Sequence, residues 1–316
     1  MKLIKKDLQS IADRYNLGKI NSLYLIKGGL INTNFLVSTS NGNFIIRFLR
    51  KKLSKDYLDR KAIEFYVLEE FKKRKFPYKI PQPIKNSSGK IIGLFNSRRF
   101  FVYPYISGEE VKKLNNSQIR EIAKGLAIYH NYIEKIPLTT NKKNVSDLTW
   151  VARNYVEMGK VRPKNKLDRL MKKNLEFFNN ELQKNIIMCF KERRILAHGD
   201  FQQSNLLFSK NKLIAILDFD NIDWSSRMKD ISISIKRVCL TNDYLDQKKI
   251  DLFTKEYKKY HPLSKRDILL IKPCILHNYC IIFWWAYNGH MKNEKNRYGV
   301  LKRVIIETKN LVEVMP

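Results

Sequence analysis

The stretch from Ala197 to Asp220, AHGDFQQSNLLFSKNKLIAILDFD, decides how the rest of the 316-residue chain is read. His198-Gly199-Asp200 is followed five residues later by Asn205, and Asp218 stands thirteen residues further on, at the end of the apolar run Leu213 to Phe219. Two carboxylates and an amide oxygen, brought together by a hairpin, are hard oxygen ligands of the kind Mg²⁺ takes. Any one of these residues could serve as a cap or turn residue, because Asp and Asn are common in loops. In one register, beside an apolar strand, they read as a single constellation.

Outward from this segment, the first hundred residues read as strands around one helix. Leu23–Ile26, Asn34–Thr39 and Asn43–Phe48 are short β-branched or aromatic runs, punctuated by Gly28-Gly29 and by Asn41-Gly42. Asn-Gly between two such runs is a strong hairpin signal. Lys55 to Lys73 changes to helical spacing and is broken by Pro77, Pro81 and Pro83. Two further strand-like runs, Ile91–Leu94 and Arg99–Tyr103, lead into the loop Pro104–Gly108. Beyond it the chain turns helical: Ser117–Lys135, Leu167–Lys191, and helices starting near Asp230, Asp246, Ser264 and Lys292. Thr139–Asp147 reads as a surface loop.

Composition bounds the function. Lys and Arg number 61 against 30 Asp and Glu, a formal charge of +31. Such a field attracts nucleic acid, anionic membranes and phosphorylated ligands. The lysines are scattered in short pairs, however, with no basic block interleaved with aromatics, so the reading is a compositional bias and not a nucleic-acid surface. The apolar run Tyr279–Tyr287 is far shorter than a membrane span, and the start MKLIKKDLQS lacks the pattern of a signal peptide. Four cysteines, Cys189, Cys239, Cys274 and Cys280, form no CxxC pair. Together these point to a cytoplasmic protein with no membrane partner.

HGDxxxxN followed by DFD closely resembles the aminoglycoside phosphotransferase and choline kinase superfamily, a branch of the protein-kinase-like fold that also includes homoserine kinases. The resemblance spans most of the chain. It implies an α+β bilobal fold, with a β-rich nucleotide-binding lobe over residues 1–105 and a mainly helical catalytic and substrate-binding lobe over 106–316. It further implies an ATP-dependent kinase that uses Mg²⁺ and phosphorylates the hydroxyl of a small, amine-bearing acceptor such as homoserine, choline, ethanolamine, an amino sugar or an aminoglycoside. By that resemblance Asp200 takes the acceptor's proton, and Asn205 and Asp218 hold the metal. Gly28, Gly29, Arg47, Glu64, Tyr103 and Tyr105 serve the nucleotide, with Arg47 pairing with Glu64. Asp230 resembles the buried aspartate that anchors the catalytic loop.

Two departures stand out: Arg47 occupies a position where protein kinases carry Lys, and the turn at Gly28 lacks a full GxGxxG. His198 reads as structural, Asn32 and Asn34 as turn residues, and Asp220 as a metal helper or a cap. Asp223 is a candidate partner for an acceptor amine. Trp284, Trp285 and Tyr287 could form an aromatic cage but read as core, and His130, His277 and His290 are too isolated to ligate a metal. A protein Ser/Thr kinase of the same fold remains an alternative, with a pseudokinase or a nucleic-acid-binding module behind it. Nucleotide preference, acceptor identity and oligomeric state stay open.

Overall fold

The computed structural model describes residues 5–26, 32–49, 55–137, 155–160, 162–164, 166–190, 194–242, 244–291 and 297–314. The chain divides into two compact units. The first comprises residues 1–109 together with Ile214–Asp220, and the second holds Glu110–Leu213 and Asn221–Pro316. A single boundary at residue 105 therefore misses a discontinuity: the segment ending in DFD belongs with the first unit.

The first unit opens with helix α1 (Lys5–Arg14), which the strand-centred sequence reading does not anticipate. Strands β1 (Ile20–Ile26), β2 (Thr33–Thr39), β3 (Gly42–Phe48), β4 (Gly93–Phe95) and β5 (Arg98–Pro104) form one antiparallel sheet in the order β1-β2-β3-β5-β4. The Asn41-Gly42 signal makes the β2–β3 hairpin, closed at Thr39 opposite Gly42, with Gly42 at φ +128°. The β4–β5 hairpin turns on Asn96 and Ser97, both at positive φ, which is the two-residue geometry matching strand twist. Leu8 and Ile11 of α1, with Tyr15 just beyond its end, pack with Val37, Ile46, Phe48, Phe100 and Val102 in one core.

Helix α2 (Lys55–Lys73) follows the sheet's third strand. Its buried stripe is Tyr57, Lys61, Glu64, Leu68 and Phe71, spaced 4, 3, 4 and 3 residues apart, so two charged side chains occupy an otherwise apolar face. The returning segment joins this unit through backbone bonds, Lys79 N–H to the Ile214 carbonyl at 2.9 Å and Ile216 N–H to the Lys79 carbonyl at 3.0 Å. Phe219 then packs edge-on to Phe71.

In the second unit, α3 (Asn116–Ile133) opens with a capping box between Asn115 and Gln118. It packs with α6 (Gln247–Lys258). The long helices α4 (Lys166–Phe190), α7 (Lys265–Met291) and α8 (Arg297–Val314) lie against one another, α7 at the centre. By length and composition α7 is apolar enough to cross a membrane, but half of its most apolar window is buried inside the protein, and it carries Pro273. That is the profile of a core helix. Strand β6 (Arg194–Ala197) pairs with β9 (Asp223–Ser226), which leads directly into α5 (Arg227–Val238). Between them lie β7 (Leu206–Ser209) and β8 (Lys212–Ile216), joined at Lys210 and Asn211, both at positive φ. The expected helix start near Lys292 and the loop Thr139–Asp147 lie outside the described residues.

Phe100 is fully buried, 5.3 Å from Phe48 and 5.8 Å from Tyr15, centroid to centroid. Phe100→Ala is expected to destabilise the protein by about 3–5 kcal/mol, read from urea-unfolding midpoints.

Candidate active site

The loop after β6 is held by one carboxylate. Asp230, in the first turn of α5 and fully buried, accepts hydrogen bonds from the backbone N–H of His198 at 2.8 Å and of Gly199 at 2.7 Å. His130 Nε2 lies 3.2 Å from the same carboxylate, and His130 Nδ1 is 2.6 Å from the Tyr257 hydroxyl. A carboxylate can only accept, so Nε2 carries the proton and Nδ1 accepts from Tyr257. Burial raises the Asp230 pKa, but the hydrogen bond and charge of His130 and the loop amides outweigh it and hold the carboxyl below its ordinary value. Burial pulls the His130 pKa down. Gly199 sits at φ +76°, and a Cβ there would come within 2.3 Å of the Asn221 carbonyl oxygen. The motif's glycine is thus required both by dihedral and by space.

This clamp presents Asp200 and Asn205. The Asp200 carboxylate accepts from Gln202 Nε2 at 2.7 Å and from Asn205 Nδ2 at 2.9 Å, and Asn205 Nδ2 also donates to the Asp200 carbonyl. The amide nitrogen is therefore spent inside the loop, and Oδ1 is the acceptor atom that these two bonds do not use. His198 is fully buried, and its Nδ1 accepts from the Asp200 N–H at 3.3 Å.

In the first unit, Asp218 stands at φ +59°, a left-handed conformation that is uncommon for a side-chain-bearing residue and turns the chain out of β8. Arg47 of β3 donates from Nη2 to Asp218 at 3.2 Å and to Asp220 at 2.5 Å. Asp220 also accepts from Asn32 Nδ2 at 2.8 Å and from the ammonium of Lys61. Lys61 in turn bonds Glu64. The expected Arg47–Glu64 pair is accordingly replaced: Lys61, one turn earlier on the same helix, takes Glu64, and Arg47 takes the two aspartates. Burial lifts the Glu64 pKa to about 7, with Asp220 adding to the rise and Lys61 opposing it. Burial also works against Asp220 ionising, yet Arg47 and Lys61 prevail and lower its pKa.

Tyr103 and Tyr105 fall in and just after β5. Tyr103 is paired with Ile45, and the Tyr105 N–H donates to the Asn43 carbonyl at 2.8 Å. Burial raises the Tyr103 pKa against the opposing charge of Arg47. Gly28 and Gly29 lie outside the described residues. Asp223 sits opposite Ala197 in the β6–β9 register and accepts from the N–H of Trp224. The three aromatics of α7 do not share a face: Tyr287 is buried, whereas Trp285 is exposed with the Arg297 guanidinium 3.3 Å from its ring centroid.

Comparison with known proteins fits this geometry. The model of the phosphotransferase enzyme family, APH, matches residues 23–263. The chain belongs to that family. It is an ATP-dependent small-molecule kinase. A homoserine kinase of Bartonella tribocorum is 26% identical over 268 residues, covering 83% of this chain and 79% of the relative. A homoserine kinase of Methylobacillus flagellatus is 23% identical over 271 residues, covering 83% and 78%. Among solved structures, spectinomycin phosphotransferase APH(9)-Ia in complex with ADP and spectinomycin superposes with a TM-score of 0.71 at 13% identity, over 99% of this chain and 97% of that one. The amicoumacin kinase hAmiN, in complex with AMP-PNP, Ca²⁺ and Ami, gives a TM-score of 0.70 at 13% identity, over 99% and 95%. At that identity the likeness shows the fold, which is the α+β architecture of APH kinases.

For an APH member, the feature that sequence reading passes over is Lys61. A helical lysine looks like a solvated one, and the available signal is its place on the stripe from Tyr57 to Phe71, where both Lys61 and Glu64 interrupt apolar spacing. Asp220 and Asn32 are likewise more than a cap and a turn residue, because they close the network around Arg47.

Three outcomes follow from these contacts. Lys61→Met leaves two buried carboxylates short of a cation and is expected to cost about 3–5 kcal/mol in chemical denaturation. Asp230→Asn should cost a similar ~3–5 kcal/mol, because an amide cannot accept from all three donors. The unfolded chain protonates His130 near its ordinary 6.5, whereas the folded chain resists to lower pH. Stability from this pair is therefore complete above that value and drains as pH falls below it. Urea midpoints from about pH 7.5 to about pH 5 should show the loss, with a shallower slope in His130→Gln.

Proposed function

We propose that the chain transfers the γ-phosphoryl group of ATP to the hydroxyl of a small amine-bearing alcohol, with homoserine the leading acceptor. The observation that carries this reading is the catalytic loop itself: Asp200 and Asn205 are bonded to each other on a turn that Asp230 clamps from beneath. The homoserine kinases among the relatives cover 83% of the chain, which favours an amino-acid acceptor over an antibiotic. The expected cytoplasmic setting suits such a metabolite.

In this reading the Asp200 carboxylate receives the hydrogen bond of the acceptor hydroxyl and takes its proton late in the transfer. Gln202 and Asn205 hold that carboxylate, so the orientation is set before the acceptor arrives. By the family resemblance Asn205 Oδ1 and Asp218 would each supply an oxygen donor, the kind of ligand Mg²⁺ takes. Mg²⁺ when bound supplies charge neutralisation at the transferring phosphoryl group. Arg47 faces the α- and β-phosphates, a task that requires it to exchange at least part of its hold on Asp218 and Asp220. Lys61 keeps Asp220 and Glu64 neutralised while it does so, since its own bonds do not depend on Arg47.

An assay of ADP release with Mg-ATP against homoserine, choline, ethanolamine, amino sugars and aminoglycosides tests the proposal. Homoserine should stimulate turnover, and Asp200→Asn should lower it by roughly 10²–10⁴-fold while ATP binding persists. ATP binding without turnover on any of these acceptors would contradict a small-alcohol substrate.

A further inference from the structure

The grip of Asp230 on the catalytic loop is only as fixed as the first turn of α5, and that turn carries a second charged side chain. Arg227 stands three residues before Asp230, so the two lie on the same side of the helix. Asp230 reaches the His198 and Gly199 amides and His130. Arg227 reaches the connection between α6 and α7 instead. Its Nη2 donates to Asp267 at 2.8 Å, and its Nη1 donates to the Pro262 carbonyl at 3.0 Å and to His261 Nδ1 at 2.9 Å. His261 Nε2 in turn lies 3.2 Å from the carboxylate of Glu134, the residue that caps the end of α3.

These contacts fix the state of the ring. A guanidinium only donates, so Nδ1 accepts from Arg227; a carboxylate only accepts, so Nε2 carries the proton and donates to Glu134. One acceptor and one donor on a rigid ring thus join a cation that cannot accept to an anion that cannot donate. His261 is buried, and its ring stands 6.0 Å from His130 and 5.7 Å from Tyr257, centroid to centroid. Two links therefore run from the first turn of α5 to the end of α3. One is direct, from Asp230 to His130. The other passes from Arg227 through His261 to Glu134. Without the ring, Arg227 keeps Pro262 and Asp267 but loses its connection to α3.

We propose that His261 is a positioning residue for phosphoryl transfer: by tying Arg227 to Glu134, it holds the first turn of α5 in the orientation from which Asp230 grips the loop that presents Asp200. This role rests on the small-alcohol kinase reading above and extends the supports of that site beyond the residues that touch the loop. A helix tied to α3 at one point can turn about that point, whereas two ties three residues apart oppose the rotation. Any such turn carries the Asp230 carboxylate away from two amides that it meets at 2.8 and 2.7 Å. Asp200 follows Gly199 directly and inherits the shift. Catalysis is sensitive to misplacements of about 1 Å. His261 touches neither the substrates nor Asp200, so its effect falls on kcat.

The test uses the full-length protein with Mg-ATP and homoserine, or whichever acceptor of the panel above gives turnover. His261→Leu removes both bonds of the ring, and His261→Asn keeps an acceptor oxygen close to the place of Nδ1. Turnover is expressed per ATP-binding site, so unfolded protein does not count. His261→Leu should lower kcat by about 10-fold with KM for both substrates little changed, and His261→Asn should recover most of the loss. Hydrogen–deuterium exchange of the same proteins should be faster in His261→Leu at the amides of residues 198–200, with α4 and α8 exchanging as in the wild type. An unchanged kcat in His261→Leu would overturn the assignment and leave the kinase reading standing. Equal losses of kcat in the two variants, or protection lost evenly along the chain, would also overturn it, since either marks a residue that serves stability alone. If the wild type phosphorylates no acceptor of any kind, the kinase reading falls, and this role falls with it.

Discussion

A carboxylate sealed from solvent, Asp230, sets the position of everything chemical in the second unit. It binds two consecutive backbone amides at the head of the catalytic loop and the imidazole of His130, whose other nitrogen is fixed by Tyr257. Four elements therefore converge on one side chain: β6 through its loop, α5, α3 and α6. Burying that charge is tolerable only because donors surround it, and the same donors give the loop a single conformation. Gly199 completes the constraint, since any side chain there would meet the Asn221 carbonyl. Asp200 and Asn205 inherit their geometry from these contacts without being part of them.

The first unit solves a different electrostatic problem. Glu64, Asp218 and Asp220 bring three carboxylates together with two cations, Arg47 and Lys61, and the raised pKa of Glu64 eases the imbalance. Asp220 is the shared member, and it stays ionised despite burial because both cations address it. The cationic work is split between a strand residue, Arg47, and a helix residue, Lys61. Lys61 fixes the helix to the DFD segment, and Arg47 ties β3 to the same two aspartates. Asp218 remains the most solvent-accessible carboxylate of the group, its side chain 36% exposed.

Much of this was legible in residues 197–220 because the chemistry there needs particular side chains at a fixed spacing, and hairpin geometry leaves little choice about their order. The β2–β3 hairpin announced itself through Asn41-Gly42, and α2 through its apolar period. What escaped the sequence has physical causes. Helix α1 is polar on its outer face and short, so its contribution to the sheet's core emerges only in packing. The return of Ile214–Asp220 to the first unit rests on backbone bonds to Lys79, which no side-chain pattern records. Lys61 hid among 61 basic residues, since in a chain of this composition a buried lysine looks like any other until its surroundings are known.

The central claim, phosphoryl transfer to a small alcohol oriented by Asp200, is tested most directly by ³¹P NMR of the full-length protein with Mg-ATP and homoserine. A new phosphomonoester resonance should grow in step with ADP, its phosphorus coupled to the protons on the hydroxyl-bearing carbon. ADP accompanied only by inorganic phosphate, or ATP left unconsumed, would contradict the account.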